Sequence, residues 1–282
     1  MKSIKIAVSG KGGVGKTTLS AMLASYLALT GRRVIAIDAD PDSNLAAALS
    51  IPPDRQPRPL SEMRELIAER TGAEGGYGGY FKLNPEVSDI PEKHACRIGP
   101  IRLLVLGGVA KGGAGCICPA TALLKALLTH LLLRGEDVVI LDMEAGIEHL
   151  GRATAEGVDA LLVVVNETDW SVQTARRIGA LAGDIGLGSV AAVANRLAPS
   201  ADVEAIGRRL GDIPLIGCLP SDEGIASGQF VRPAGEGQIE GTDVLRRHLP
   251  MLEKIVSAVA GGRARPAQPR RHHRKAEKDD TA

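Results

Sequence analysis

The chain is 282 residues long, 44% hydrophobic and 2% aromatic, with a formal net charge of +1. That size and apolar content suit one large α/β domain around a buried sheet, while a single Trp leaves no aromatic platform for stacked bases. Arg263 to Ala282 holds seven basic and three acidic residues, a surplus of +4, so the remainder carries −3 and is no nucleic-acid surface.

No apolar run reaches the ~18–20 residues needed to span a bilayer, and the first strand signal begins almost at Met1, which leaves no leader. The expectation is a cytoplasmic protein without stable membrane insertion. Its four cysteines are then reduced, metal-binding or buried, not paired in disulfides.

Ile4 to Val8 is an apolar strand signal that runs through Ser9 into Gly10-Lys11-Gly12-Gly13-Val14-Gly15-Lys16-Thr17-Thr18. Gly10 and Gly15 to Thr17 supply the GxxxxGK[ST] spacing of a phosphate loop, and the Leu/Ala-rich stretch Leu19 to Thr30 that follows reads as helix. Glycines at this spacing let backbone N–H groups from Gly12 to Thr18 turn toward phosphate oxygens, and the helix start adds its positive end. Lys16 brings a full charge to the β- and γ-phosphates, and the Thr17 hydroxyl suits magnesium. These residues predict a site for ATP or ADP with Mg²⁺.

Val34 to Ile37 is the second strand, delivering Asp38, Asp40 and Asp42 at its carboxyl end, the edge on which the phosphate loop opens. After a proline-rich link, Leu60 to Arg70 reads as helix and Gly72 to Gly79 as a glycine-rich loop with Tyr77 and then Tyr80. Ile101 to Leu106 is a further buried strand. It leads through a glycine-rich loop to Cys116-Ile117-Cys118-Pro119, with Pro119 suited to the first turn of a helix over Ala120 to Leu133. Thiols at a helix start are favoured as thiolates. Val138 to Leu141 delivers Asp142, the carboxylate position that supports Mg²⁺, and Gly146 follows as a backbone donor toward the γ-phosphate. His149 is an ordinary loop histidine or a switch contact.

Leu161 to Val165, Val190 to Ala194 and Ile213 to Leu219 are strand signals, and Asp169 to Leu181 is a helix between the first two. Asn195-Arg196 and Pro220-Ser221-Asp222 follow the last two strands. Val244 to Val259 reads as a closing helix with Leu245, Leu249, Leu252, Ile255, Val256 and Val259 near one face. From Gly261 the composition predicts disorder, with His272 and His273 as weak metal ligands at most. The expected architecture is a doubly wound, mostly parallel α/β sheet with helices on both faces, a P-loop NTPase. Residues 1–260 form the ATPase domain and 261–282 a basic tail.

The early lysine in Gly10-Lys11-Gly12-Gly13-Val14-Gly15-Lys16-Thr17 resembles the deviant P-loop ATPases, the class of MinD, ParA, the arsenite-pump ATPase and nitrogenase iron protein. The resemblance implies that Lys11 reaches the partner's nucleotide in a homodimer. It also implies that Asp40 orients the attacking water, that Asn195 meets the adenine edge, and that Arg196, Pro220 and Asp222 border the base. Within the class, Cys116-Ile117-Cys118 and the run from Asp142 to Arg152 resemble the CooC-type nickel-insertion accessory ATPases of carbon monoxide dehydrogenase.

One pair of thiolates, Cys116 and Cys118, half satisfies a four-coordinate metal, so two pairs facing across a dimer would complete a site for Ni²⁺ or Zn²⁺. The implied function is a slow ATPase that dimerises with nucleotide or metal and delivers nickel to a client enzyme. That client is carbon monoxide dehydrogenase or a related nickel enzyme such as acetyl-CoA synthase. A partition or septum-positioning ATPase is the alternative, and it leaves the cysteine pair unexplained. An iron–sulfur reductase would need a further cysteine after Asp142 that this chain lacks before Cys218.

Overall fold

A computed structural model of the chain describes residues 3–73, 80–107, 118–133, 137–147, 150–235 and 237–262. The glycine-rich stretch at 74–79 with Tyr77, the segment 108–117 with Cys116, His149, and the tail 263–282 with His272 and His273 lie outside the described residues. The strands are β1 (Lys5–Gly10), β2 (Val34–Asp38), β3 (Cys96–Ile98), β4 (Ile101–Val105), β5 (Val138–Asp142), β6 (Ala160–Val165), β7 (Val190–Leu197) and β8 (Leu215–Pro220). They make one sheet in the order β3-β4-β2-β5-β1-β6-β7-β8. β3 runs antiparallel to β4, and the other neighbours are parallel. β9 (Val231–Pro233) and β10 (Ile239–Gly241) form a separate antiparallel hairpin.

The helices are α1 (Lys16–Leu29), α2 (Leu45–Ala48), α3 (Arg64–Thr71), α4 (Ile90–His94), α5 (Pro119–Leu133), α6 (Arg152–Ala155), α7 (Asp169–Asp184), α8 (Val203–Leu210) and α9 (Asp243–Ala260). Successive strand residues point to opposite faces, and both faces are covered, which is why the parallel strands read as continuous apolar runs. Ile6, Val8, Val34, Ala36, Leu162 and Val164 pack with Leu19, Leu23, Leu27 and Leu252 from α1 and α9. Ala7, Ile35, Ile37, Leu161 and Val163 pack with Leu123, Leu127, Val172 and Ile178 from α5 and α7. From β1 the chain passes β5 to reach β2, and later it passes over β1 from β5 to β6, so the direction of winding reverses around β1. The carboxyl end of β1 is therefore the switch point at which such a sheet opens a crevice.

The helix expected over Leu60 to Arg70 is divided into a 3₁₀ turn at Leu60–Glu62 and α3. Buried Leu60 anchors the turn, and the Ser61 N–H donates to the Leu106 carbonyl at the end of β4. Met63, at φ −83° and ψ 74°, then leaves the helical region and separates the turn from α3. Strand β7 continues past Ala194 to Leu197, so Asn195 and Arg196 stand on the strand itself, where its register against β8 shifts and Arg196 takes φ 57°. On α9 the buried positions are Leu245, His248, Leu252, Ile255 and Val259. His248 thus takes a place in the row where the periodicity put Leu249, which is only partly buried.

Candidate nucleotide and metal site

The phosphate loop joins β1 to α1. Gly10, Gly13 and Gly15 adopt φ of 145°, 80° and 94°, the region that favours glycine. A Cβ on Gly10 would meet the Val164 carbonyl oxygen at 2.4 Å, and one on Gly15 would meet Asn195 Nδ2 at 2.2 Å. Around Gly12 and Gly13 nothing lies within 4 Å of such an atom, so the loop presents bare backbone outward. Buried Val14 pins it inward. Lys16 opens α1 with only 7% of its surface exposed, and its Nζ stands 3.5 Å from the Lys11 carbonyl oxygen. A cationic side chain and a helix start thus converge beneath open backbone, a cradle that fits phosphate.

Two carboxylates close the floor. Asp142 ends β5 and accepts a hydrogen bond from Ser20 Oγ at 2.9 Å, while its Oδ2 is buried with no hydrogen-bond partner. Burial pushes its pKa up to about 7, with the Asp38 charge adding to the rise and Thr17, Ser20 and Lys16 opposing it. Asp38, also closed to solvent, accepts from the Leu45 N–H at 2.9 Å and the Asp40 N–H at 3.2 Å. Burial lifts its pKa to about 6 against those two bonds. An orphaned anionic oxygen beside the Thr17 hydroxyl is a donor set of the hard oxygen type that Mg²⁺ takes. Asp40 is half-buried, and its side chain accepts from the Asp42 N–H at 3.0 Å.

Ser9 links the loop to the segment after β5. Its hydroxyl donates to the Gly146 carbonyl at 2.6 Å, and the Gly146 N–H lies 3.3 Å from Ser9 Oγ. The backbone donor expected for a γ-phosphate is therefore held on this serine.

Beside the loop opens a cleft of 520 Å³ lined by Thr17, Thr18, Asn195, Arg196, Pro220 and Asp222, with Asn44 and Ile225 among the other walls. The fold thus gathers all the base-side residues expected from the sequence. Asn195, 1% exposed, donates from Nδ2 to the Val14 carbonyl at 2.9 Å and keeps a buried Oδ1 without a partner. Arg196 lies over the loop, its Nη1 donating to the Gly13 carbonyl at 2.8 Å. The Asp222 carboxylate is engaged by Arg247 and His248 of α9, which no local sequence signal points to. Ser20 was equally unmarked, although its place one turn after Lys16 and Thr17 puts it on their helical face.

Two sequence candidates stand apart. Lys11 is exposed and places its Nζ 5.9 Å from the ring centroid of Trp170, which is 71% exposed in the first turn of α7. Cys118 precedes α5 and acts as its N-cap. Its Sγ lies 3.5 Å from the Thr121 N–H and 3.1 Å from Thr121 Oγ1, and its carbonyl accepts from the Ala122 N–H. Burial alone would raise the thiol pKa, but bonds from the Thr121 hydroxyl and amide and from the Ala120 amide outweigh it, holding it below the ordinary value. Among the described residues no three His, Cys, Asp or Glu side chains cluster as a metal site.

Residues 5–230 match the family described as the CobQ/CobB/MinD/ParA nucleotide binding domain. The chain belongs to this family. The carbon monoxide dehydrogenase accessory protein CooC of Rhodospirillum rubrum is 47% identical over 79% of this chain and 85% of its own length. An uncharacterized ATP-binding protein of Methanocaldococcus jannaschii is 43% identical over 81% of this chain and 89% of its own. Within the nucleotide-binding family the chain is thus of the CooC type. Among solved structures, a ParA-family ATPase from Chlorobium tepidum superposes with a TM-score of 0.62 at 18% identity, covering 92% of this chain and 98% of the other. MinD of Aquifex aeolicus superposes with 0.61 at 21% identity, covering 92% and 96%. These likenesses give the mostly parallel P-loop NTPase fold. No helix of the described residues is long and apolar enough to cross a membrane.

Proposed function

We propose that this chain is an ATP-dependent, dimerising metallochaperone ATPase that delivers nickel to carbon monoxide dehydrogenase or a related nickel enzyme. The observation that carries the reading is the 47% identity to a carbon monoxide dehydrogenase accessory protein, joined to a cysteine whose thiol is tuned toward the thiolate at a helix start. Residues 1–260 constitute the ATPase unit in this reading and 261–282 an appended basic tail, and the protein works in the cytoplasm. Gly12 to Thr18 hold the phosphates of ATP or ADP, Lys16 matches their charge, and Asn195, Arg196, Pro220 and Asp222 border the base. Thr17 and Asp142 would hold Mg²⁺, which neutralises charge on the phosphates. Asp40 positions water, Lys11 leaves Trp170 for the partner's nucleotide, and turnover is slow.

Cys116 and Cys118 from each of two protomers would supply four sulfurs to Ni²⁺ or Zn²⁺. The test is metal content against oligomeric state of the reduced protein, offered nickel or zinc with ADP, ATP or no nucleotide. One ion per dimer, lost when both cysteines are replaced by alanine while ATP hydrolysis persists, is expected. Nucleotide-driven dimers that carry no metal would overturn the reading in favour of a partition-type ATPase.

A further inference from the structure

The wall of the cleft formed at Asp222 is clamped from outside. Asp222 follows β8, and its carboxylate accepts from Arg247 in a fork: Nη2 stands 2.9 Å from Oδ2 and 3.1 Å from Oδ1, and Nε stands 3.1 Å from Oδ2. His248 Nε2 lies 3.1 Å from the same Oδ2, and the Gly224 N–H donates to Oδ1 at 2.8 Å. Both oxygens are therefore occupied, by groups behind the wall rather than in the cleft. His248 is 5% exposed. Gly224 leaves room for the fork, since a Cβ there would stand 3.0 Å from Arg247 Nη2. The same helix is tied to the far end of the wall by Thr242, whose hydroxyl donates to the Gln229 carbonyl at 2.8 Å.

An unpaired carboxylate at the base end of a nucleotide cleft is a two-point acceptor. The Watson–Crick edge of guanine offers two adjacent N–H donors to such a group. Adenine offers one donor and one acceptor there, and the acceptor would face a negative oxygen. We propose that Arg247, aided by His248, is a positioning and specificity-determining residue: by holding both oxygens of Asp222 it withholds from guanine the acceptor that would recognise it. The inference rests on the reading of this cleft as the nucleotide site.

The experiment is calorimetric titration of MgADP and MgGDP into the full-length wild type, R247A and R247K. Wild type is expected to prefer ADP. Loss of the fork should shift the ADP-to-GDP affinity ratio toward GDP by about tenfold in R247A, the scale of a hydrogen bond to a charged group. R247K keeps a point charge without the fork and should fall between, and its ratio against wild type decides the matter if R247A does not fold. A purely structural clamp would weaken both nucleotides in equal proportion, and that result, or an unchanged ratio, overturns the proposal. Equal affinity of wild type for ADP and GDP overturns it too but leaves the cleft a nucleotide site. Failure of wild type to bind either nucleotide overturns the nucleotide reading itself and the inference with it.

Discussion

Asp38 and Asp142 are register partners on the adjacent strands β2 and β5, with both side chains closed to solvent. Burial first, then the Asp40 charge for Asp38 and the Asp38 charge for Asp142, lift their pKa values to about 6 and about 7. In the unfolded chain both would titrate near the ordinary carboxylate value of about 4. A raised carboxylate pKa means that the native state holds more protons than the unfolded state between about pH 4 and 7, so stability falls as pH rises through that window. The cation-free protein should therefore melt at a lower temperature at pH 8 than at pH 5.5. Asp142→Asn, which cannot ionise, should flatten that dependence, and a wild-type slope no steeper than the variant's would refute the assignment. Added Mg²⁺ with nucleotide should recover stability at the high-pH end, where the carboxylates are ionised.

The contact of Gly15 with Asn195 sets a second prediction. A methyl at Gly15 would collide with Asn195 Nδ2 at a residue whose φ is 94°. Strain of this kind costs on the order of 1–3 kcal/mol, and the Asn195 bond to the Val14 carbonyl would break as well. Gly15→Ala should lower the melting temperature and abolish nucleotide binding in calorimetry. Gly12→Ala, at a position with open space around it, should fold as wild type does, which separates the cost of the collision from loss of glycine as such.

Lys11 and Trp170 give an optical reading of the loop. Trp170 is the sole tryptophan, and a cation near an exposed ring is worth about 0.5–1 kcal/mol, a seat weak enough for a lysine to leave. Lys11→Ala should shift the tryptophan emission while barely moving the melting temperature. If Lys11 swings to a partner's nucleotide, a non-hydrolysable ATP analogue should change the wild-type spectrum in a manner that depends on protein concentration. A response independent of concentration would count against transfer between protomers.

Much of this arrangement is legible in the sequence, for a physical reason. β1 and the loop after it are defined locally: an apolar run, glycines at positive φ, then Lys16 and Thr17 at a helix start. Asp38 and Asp142 are carboxylates at the ends of otherwise apolar strands, a place the sequence alone puts at the carboxyl edge beside the phosphate loop. What is not legible depends on distant partners. Ser61 ties the turn at Leu60–Glu62 to Leu106 at the end of β4, and Met63 leaves the helical region beside it, dividing a helix that periodicity alone would continue. β3 is an edge strand of three residues whose pairing with β4 is set by the turn at Gly99, φ 54°. His248 looks like a break in the apolar row of α9 until Asp222, 26 residues away, is placed beside it. Lys16, by contrast, needs no distant partner to be recognised.

Cys118 separates two roles that a single substitution would confuse. As N-cap of α5 it accepts from the Thr121 N–H, a role that serine fills and alanine does not, worth about 1 kcal/mol. As a thiol tuned toward the thiolate it should be alkylated near neutral pH faster than Cys96 or Cys218, whose pKa values burial raises. Cys118→Ala should therefore lose stability, and Cys118→Ser should keep most of it. Both should lose the fast alkylation at position 118 and, if the proposed cargo site is correct, nickel binding. A serine variant that still binds nickel with wild-type stoichiometry would remove Cys118 from the metal site and leave it the helix cap alone.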